Sequence, residues 1–201
     1  MIAIIDYGAG NIKSLQFTLS QLNLENTLTQ DEALIRNSQA IILPGVGSFQ
    51  DAMKELKRAG LDKIIREEAS TGKPILGICL GMQLFYQTSN EGGHSDGLGL
   101  LEGNIERIPS SVKVPHMGWN TLQLRKGNDI TMNLPDNAYV YFVHSYFANK
   151  VDGNDVIGSC TYGTKIPVLV QKDNIIGMQF HPEKSSEVGL QLLNNFKEMY
   201  L

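Results

Sequence analysis

Short unbroken apolar runs alternate with stretches in which apolar residues recur every three or four positions. Met1 to Asp6 predicts a buried strand, closed by Tyr7-Gly8-Ala9-Gly10. Ile12, Leu15, Leu19 and Leu22 then follow helical spacing, with Asn11 placed to cap that helix. Ala40 to Leu43 is a second apolar strand, closed by Pro44-Gly45-Val46-Gly47. Ser48, with Asp51 three residues on, forms a capping-box pattern for the next helix. Ile64 to Ala69 continues the helical period until Gly72-Lys73-Pro74 breaks it. Pro74-Ile75-Leu76 opens a third strand, which runs into Gly77-Ile78-Cys79-Leu80-Gly81. Strand and helix thus alternate through the first half, which predicts a parallel sheet covered by helices on both faces.

From Gly92 the pattern changes. Gly92 to Gly99 predicts a flexible loop. Short strand-like segments follow at Asn104–Ile108, Thr121–Leu124, Ala138–Val143 and Val156–Thr161. Val168–Lys172 and Ile175–Phe180 flank Asp173-Asn174, a hairpin signal. A last helix starts near Ser186, with Val188, Leu192, Leu193 and Phe196 as its apolar stripe. The expected fold class is α/β, with a central, mostly parallel sheet flanked by helices and an antiparallel portion completing the same sheet system.

Length and composition narrow the function. At 201 residues the chain is expected to form one domain, residues 1–201, large enough to bury a core without staples. The net charge is −4, with both signs mixed along the chain, which argues against nucleic acid as the main ligand. Two cysteines, Cys79 and Cys160, do not make a disulfide framework. No signal peptide or membrane-spanning run is evident, so a cytoplasmic location is expected.

The chemistry lies in two motifs about a hundred residues apart. Gly-x-Cys-x-Gly after a strand has the mechanics of a nucleophile elbow, in which flanking glycines remove side chains that would collide in a sharp turn. The thiol of Cys79 would then sit at a helix N-terminus, where the dipole favours a thiolate. The Leu80 N–H would be free to hold an oxyanion. In isolation Cys79 reads more readily as a small buried hydrophobe; the flanking glycines and the preceding strand reverse that preference toward the elbow. Phe180-His181-Pro182-Glu183 supplies an imidazole at a strand end and a carboxylate placed to fold back on it. Together these are the parts of an activated nucleophile for acyl transfer. His116 and His144 lie in aromatic surroundings and read as packing or interface residues, His94 as solvated and Cys160 as core. Pro44 to Gly47 reads as a second oxyanion element rather than a P-loop, since no Gly-Lys-Ser/Thr follows. No zinc or calcium spacing is found, and neither metal nor cofactor is expected.

Gly77-Ile-Cys-Leu-Gly-Met-Gln83 together with His181-Pro-Glu183 resembles the class I (triad) glutamine amidotransferases. Pro44–Phe49, Pro115–Asn120, His144–Tyr146 and Phe180–Ser185 are similar to the glutaminase subunits of imidazole glycerol phosphate synthase, over essentially the whole chain. The resemblance implies that Cys79, His181 and Glu183 are catalytic. Val46 and Leu80 would form the oxyanion hole, and Gly45, Gly47, Gln83, Glu91, Ser145 and Tyr146 would hold glutamine. Asn11, Trp119, Tyr141, His144 and Lys184 would face a partner, a (β/α)8 cyclase subunit that receives ammonia. The Gly45–Gly47 loop would switch when that partner binds ligand. A paralogous glutaminase feeding another synthase, a non-catalytic scaffold and a cysteine peptidase stand as alternatives at this point. The last suits Gln83 and Glu91 poorly, because those residues fit a free amino acid.

Overall fold

The computed structural model describes residues 1–8, 12–125 and 127–201. Asn11, the expected cap and interface residue, lies outside the described residues. The first half runs β1 (Ile2–Ile5), α1 (Lys13–Gln21), β2 (Asn26–Thr29), α2 (Glu32–Asn37), β3 (Ala40–Leu43), α3 (Phe49–Arg58), α4 (Leu61–Ser70), β4 (Ile75–Ile78) and α5 (Leu80–Gln83). Then come β5 (Thr88–Ser89), β6 (Ser95–Asp96), β7 (Asn104–Arg107), β8 (His116–Thr121) and β9 (Gln123–Leu124). The chain ends with β10 (Tyr139–His144), β11 (Tyr146–Asn149), β12 (Val156–Tyr162), β13 (Thr164–Lys172), β14 (Ile175–Met178) and α6 (Ser186–Tyr200).

Eight strands form the main sheet in the order β2-β1-β3-β4-β14-β13-β12-β9. The pairs from β2 to β14 are parallel, and those from β14 to β9 antiparallel. β1, β3, β4 and β14 are buried at every residue, which is why they read as unbroken apolar runs. Alternate residues feed two cores. Ile2 and Ile4 pack with Leu15, Leu19, Leu192, Leu193 and Phe196 from α1 and α6. Ala3 and Ile5 pack with Met53, Leu56 and Ile65 from α3 and α4.

The expected caps and breaks are present. Ser48 Oγ accepts the Asp51 N–H at 3.2 Å and also donates to the Asp51 carboxylate at 2.7 Å. Gly60, at φ 72°, separates α3 from α4, and the Asp173 turn joins β13 to β14. Three expectations change. β2 and α2 were not anticipated; β2 is a half-buried edge strand of sequence Asn-Thr-Leu-Thr with no apolar run to reveal it. The second half does not wholly join the main sheet: β10-β8 and β11-β7-β5-β6 are separate sheets. The Gly92–Gly99 segment is not a free loop. It contains β6, and Arg66 of α4 clamps it by donating to the Leu98 carbonyl at 2.9 Å and the Gly97 carbonyl at 3.0 Å.

This topology explains how residues a hundred positions apart meet. β4 and β14 are parallel neighbours with Ile78 opposite Met178, and the Cys79 N–H donates to the Met178 carbonyl at 2.7 Å. Cys79 and His181 therefore leave the carboxyl ends of adjacent strands, the edge at which open α/β sheets bind ligands.

Candidate active site

Cys79 adopts φ 53°, ψ −110°, a region that costs a non-glycine residue about 1–3 kcal/mol. The elbow is real, and the glycines beside it serve close approach. A Cβ on Gly77 would meet the Phe85 ring and the Met82 nitrogen, and one on Gly81 would strike the Leu43 carbonyl oxygen. The helix that follows is a single turn, Leu80–Gln83, so its dipole is small.

The sulfur sits between two polar neighbours. Sγ lies 3.8 Å from the Val143 carbonyl, to which it donates, and receives the Gln179 side-chain N–H at 3.9 Å. His181 Nδ1 is 2.8 Å from Glu183 Oε1, while Nε2, buried, has no hydrogen-bond partner. Burial pulls the His181 imidazole down, but Cys79 and Glu183 outweigh it and raise its pKa to about 9. Because no hydrogen bond joins Nε2 to Sγ here, Glu183 is the fixed source of that rise, and Cys79 adds to it once it is a thiolate. A thiol, a protonatable imidazole and an orienting carboxylate are the equipment of nucleophilic catalysis.

A further set of contacts pins the imidazole. The His181 N–H donates to the Tyr141 carbonyl at 3.0 Å, and the Ser185 hydroxyl bridges the Tyr141 N–H (3.0 Å) and the His181 carbonyl (2.7 Å). Ser185 is fully buried. On the opposite wall the Tyr7 hydroxyl donates to the Pro44 carbonyl at 2.7 Å. Burial, then the charge of Cys79, raises the Tyr7 pKa, so it stays a donor. A Cβ on Gly45 would collide with that hydroxyl, so Gly45 lets the loop approach Tyr7, whereas Val46 and Gly47 line the cavity.

That cavity is about 340 Å³. It gathers Val46, Gly47, Cys79, Leu80, Gln83, Glu91, Ser145, Tyr146 and His181, all singled out from sequence, together with Pro115, Val143 and His144. Gln83 spends its side-chain N–H groups on the Tyr146 carbonyl and on Gln179 Oε1, both at 2.9 Å. Glu91 Oε2 accepts the Phe49 N–H at 2.8 Å. The expected interface residues divide. Trp119 and Tyr141 pair across β8 and β10 with rings 5.9 Å apart, and Lys184 Nζ lies 6.0 Å from the Tyr141 ring centre. Trp119 is 52% exposed, and Met117 on the same face 62%. His144 instead points inward and is buried. His94 is exposed, with Asp96 3.5 Å away, and Cys160 is buried, its thiol pushed up to about 12 by burial. Among the described residues no helix is long and apolar enough to cross a membrane.

Sequence reasoning missed Tyr7, Gln179 and Ser185. Ser185 and Gln179 flank the His181 motif, and that proximity was the available signal. Tyr7 carried none, since its partner Pro44 is 37 residues away.

Comparison with known proteins shows the family and the fold. The family model for glutamine amidotransferase class-I matches residues 3–199. The imidazole glycerol phosphate synthase subunit HisH of Oceanobacillus iheyensis is 57% identical, covering 99% of each chain. That of Listeria monocytogenes serotype 4a is 48% identical, covering 99% of this chain and 96% of its own. The crystal structure of a glutamine amidotransferase superposes with a TM-score of 0.78 at 18% identity, covering 99% of this chain and 98% of that one. PurLQS from Thermotoga maritima superposes with a TM-score of 0.77 at 21% identity, covering 98% and 97%. These two similarities concern the fold. The elbow at Cys79, the His181–Glu183 pair and full-length identity to these relatives converge: the chain belongs to the class-I glutamine amidotransferase family and, within it, to the HisH subunits of imidazole glycerol phosphate synthase.

Proposed function

We propose that residues 1–201 act as one amidotransferase domain that hydrolyses glutamine to glutamate and ammonia and passes the ammonia to a cyclase subunit. The observation that carries this is that Cys79, on its strained backbone, and His181, with Nε2 unpaired and Nδ1 backed by Glu183, line one cavity.

In this reading Sγ, having given its proton to His181 Nε2, attacks the side-chain amide carbon. The oxyanion that forms is held by the N–H groups of Val46 and Leu80. The imidazolium then protonates the amide nitrogen, the C–N bond breaks, and ammonia leaves a γ-glutamyl thioester on Cys79. Nε2 next takes a proton from water, whose oxygen attacks the thioester and releases glutamate and the thiol. Glu183 keeps Nδ1 protonated throughout, so the proton traffic uses Nε2. The free oxygen of Glu91 suits the substrate ammonium, and Gly47, Gln83, Ser145 and Tyr146 complete the amino-acid site. Gly45 supports it from behind.

Relatives named as subunits of imidazole glycerol phosphate synthase support a complex with a cyclase subunit, and the fold expected of that partner is a (β/α)8 barrel. Its products are imidazole glycerol phosphate and the aminoimidazole carboxamide ribonucleotide, within histidine biosynthesis. Trp119, Tyr141 and Lys184, with the exposed Met117 beside them, form the docking face. Such a biosynthetic subunit works in the cytoplasm.

Acid quenching of the complex during turnover tests the chemistry. Intact-mass analysis should find a glutamyl adduct that maps to Cys79 and is missing from Cys79→Ser. An adduct on any other residue, or glutamate release at the normal rate by Cys79→Ser, would overturn the assignment.

A further inference from the structure

His116 and His144 belong to no step above, yet they form a built feature. They face each other across β8 and β10, with His116 Nδ1 2.9 Å from His144 Nε2. Both are buried, and the His116 ring is stacked on Phe142 (4.6 Å between centres) and on Tyr162 (4.0 Å). The contacts at each end fix where the protons lie. His144 Nδ1 is 2.8 Å from the Tyr146 carbonyl, which can only accept, so Nδ1 carries a proton. At the other end Asn120 Oδ1 accepts the Thr121 N–H, which turns the Asn120 NH2 toward His116 Nε2 at 3.3 Å. His116 Nε2 must therefore accept and its Nδ1 donate. Donation then runs one way: Asn120 to His116, His116 to His144, His144 to the Tyr146 carbonyl.

We infer that His116 and His144 are a pair of neutral imidazoles, both locked with the proton on Nδ1, that positions the Ser145–Tyr146 segment for glutamine. The inference rests on the glutaminase reading of that cavity. His144 ends β10, Tyr146 begins β11, and Ser145 is the joint at which the chain passes from one small sheet to the other. The Ser145 carbonyl accepts the Ile108 N–H at 2.9 Å, which fixes one side of the joint and leaves the Tyr146 carbonyl to be held by side chains. The Tyr146 carbonyl is held from one side by His144 and from the other by Gln83, which also holds Gln179, the donor to Cys79 Sγ. The pair thus ties the substrate-facing joint to β8, the strand that carries Trp119. Protonating either ring would set N–H against N–H somewhere along the series, and burial favours the neutral forms, lowering each pKa to about 4. In this role they are positioning residues, because they touch the groups that line the cavity and not the reacting atoms.

Two measurements decide it. Long-range 1H–15N correlation on the histidine-labelled chain should show two neutral rings protonated at Nδ1, the less common tautomer, unchanged from about pH 8 to about pH 5.5. Glutaminase kinetics of the complex with the cyclase subunit should show that His116→Phe, which keeps the ring stack, raises KM for glutamine about fivefold and leaves kcat unchanged. His116→Asn, which retains a donor at the place of Nδ1, should restore KM. An Nε2-protonated ring at either position, or a His116→Phe variant with unchanged KM, would overturn the inference. If His116→Phe does not fold, the tautomers alone decide. A wild-type complex without glutaminase activity would defeat the functional reading, and the spectra would still judge the pair.

Discussion

Once Cys79 is a thiolate, its charge and the carboxylate of Glu183, 2.8 Å from Nδ1, together hold the transferred proton on His181, raising its pKa to about 9 even though the ring is buried. That proton is the one ammonia needs on leaving, so kcat/KM should fall on the alkaline side as His181 titrates near 9. Removing the negative charge in Glu183→Gln lowers the pKa of the imidazole, so the alkaline limb should move to lower pH. A pH–rate profile with the limb unmoved would mean that another group controls it. At this scale the sequence was informative where a motif is local. Cys79 between glycines, and His181 two residues from Glu183, announce themselves. The Tyr7–Pro44, Gln179–Cys79 and His116–His144 contacts join residues 28 to 100 positions apart, and no local pattern encodes them.

Among the elements, β4 and the single turn of α5 do the positioning, and their tightness has a measurable cost. Gly81 leaves no room for a Cβ against the Leu43 carbonyl of β3. Gly81→Ala should therefore lower stability by about 3 kcal/mol, read as a shifted denaturation midpoint. It should lower activity more than stability alone explains, because the Leu80 N–H moves with the turn. A variant of wild-type stability would show that β3 and α5 separate easily. The buried strands β1, β3 and β4 and the cap of α3 were legible because burial on both faces demands unbroken apolar runs. β2 was not, since an edge strand needs few apolar residues; the Asp31 cap of α2, accepting the Leu34 N–H at 2.9 Å, was a signal left unread. The Gly92–Gly99 segment looks like a loop by composition; its pairing of β6 with β5, its backbone bonds to Leu84, Tyr86 and Gln87, and the clamp of Arg66 are all tertiary contacts that no local pattern announces.

For the whole molecule, the sequence foretold the parallel half and the antiparallel completion, but not the division of the second half into three sheets. That division matters. The two small sheets meet at Ser145, form one wall of the cavity, and present Met117 and Trp119 on the outside. One wall of the cavity and the proposed docking face thus share β8 and β10, so a partner seated on the outer face would bear on the strands that hold the Val143 carbonyl and the joint. Free ammonia is largely protonated in neutral water, which makes glutamine hydrolysis useful only when the acceptor is in place. A glutaminase that is nearly silent alone is therefore expected. Glutamate release from glutamine by the purified chain tests both the nucleophile and its dependence on the partner. The assay is run alone, with an equimolar cyclase subunit, and with that subunit and its nucleotide ligand, using Cys79→Ala as control. Strong activation by the liganded partner, abolished in Cys79→Ala, is the predicted result. Glutamate release that is equally fast without the partner, or that survives Cys79→Ala, would contradict it.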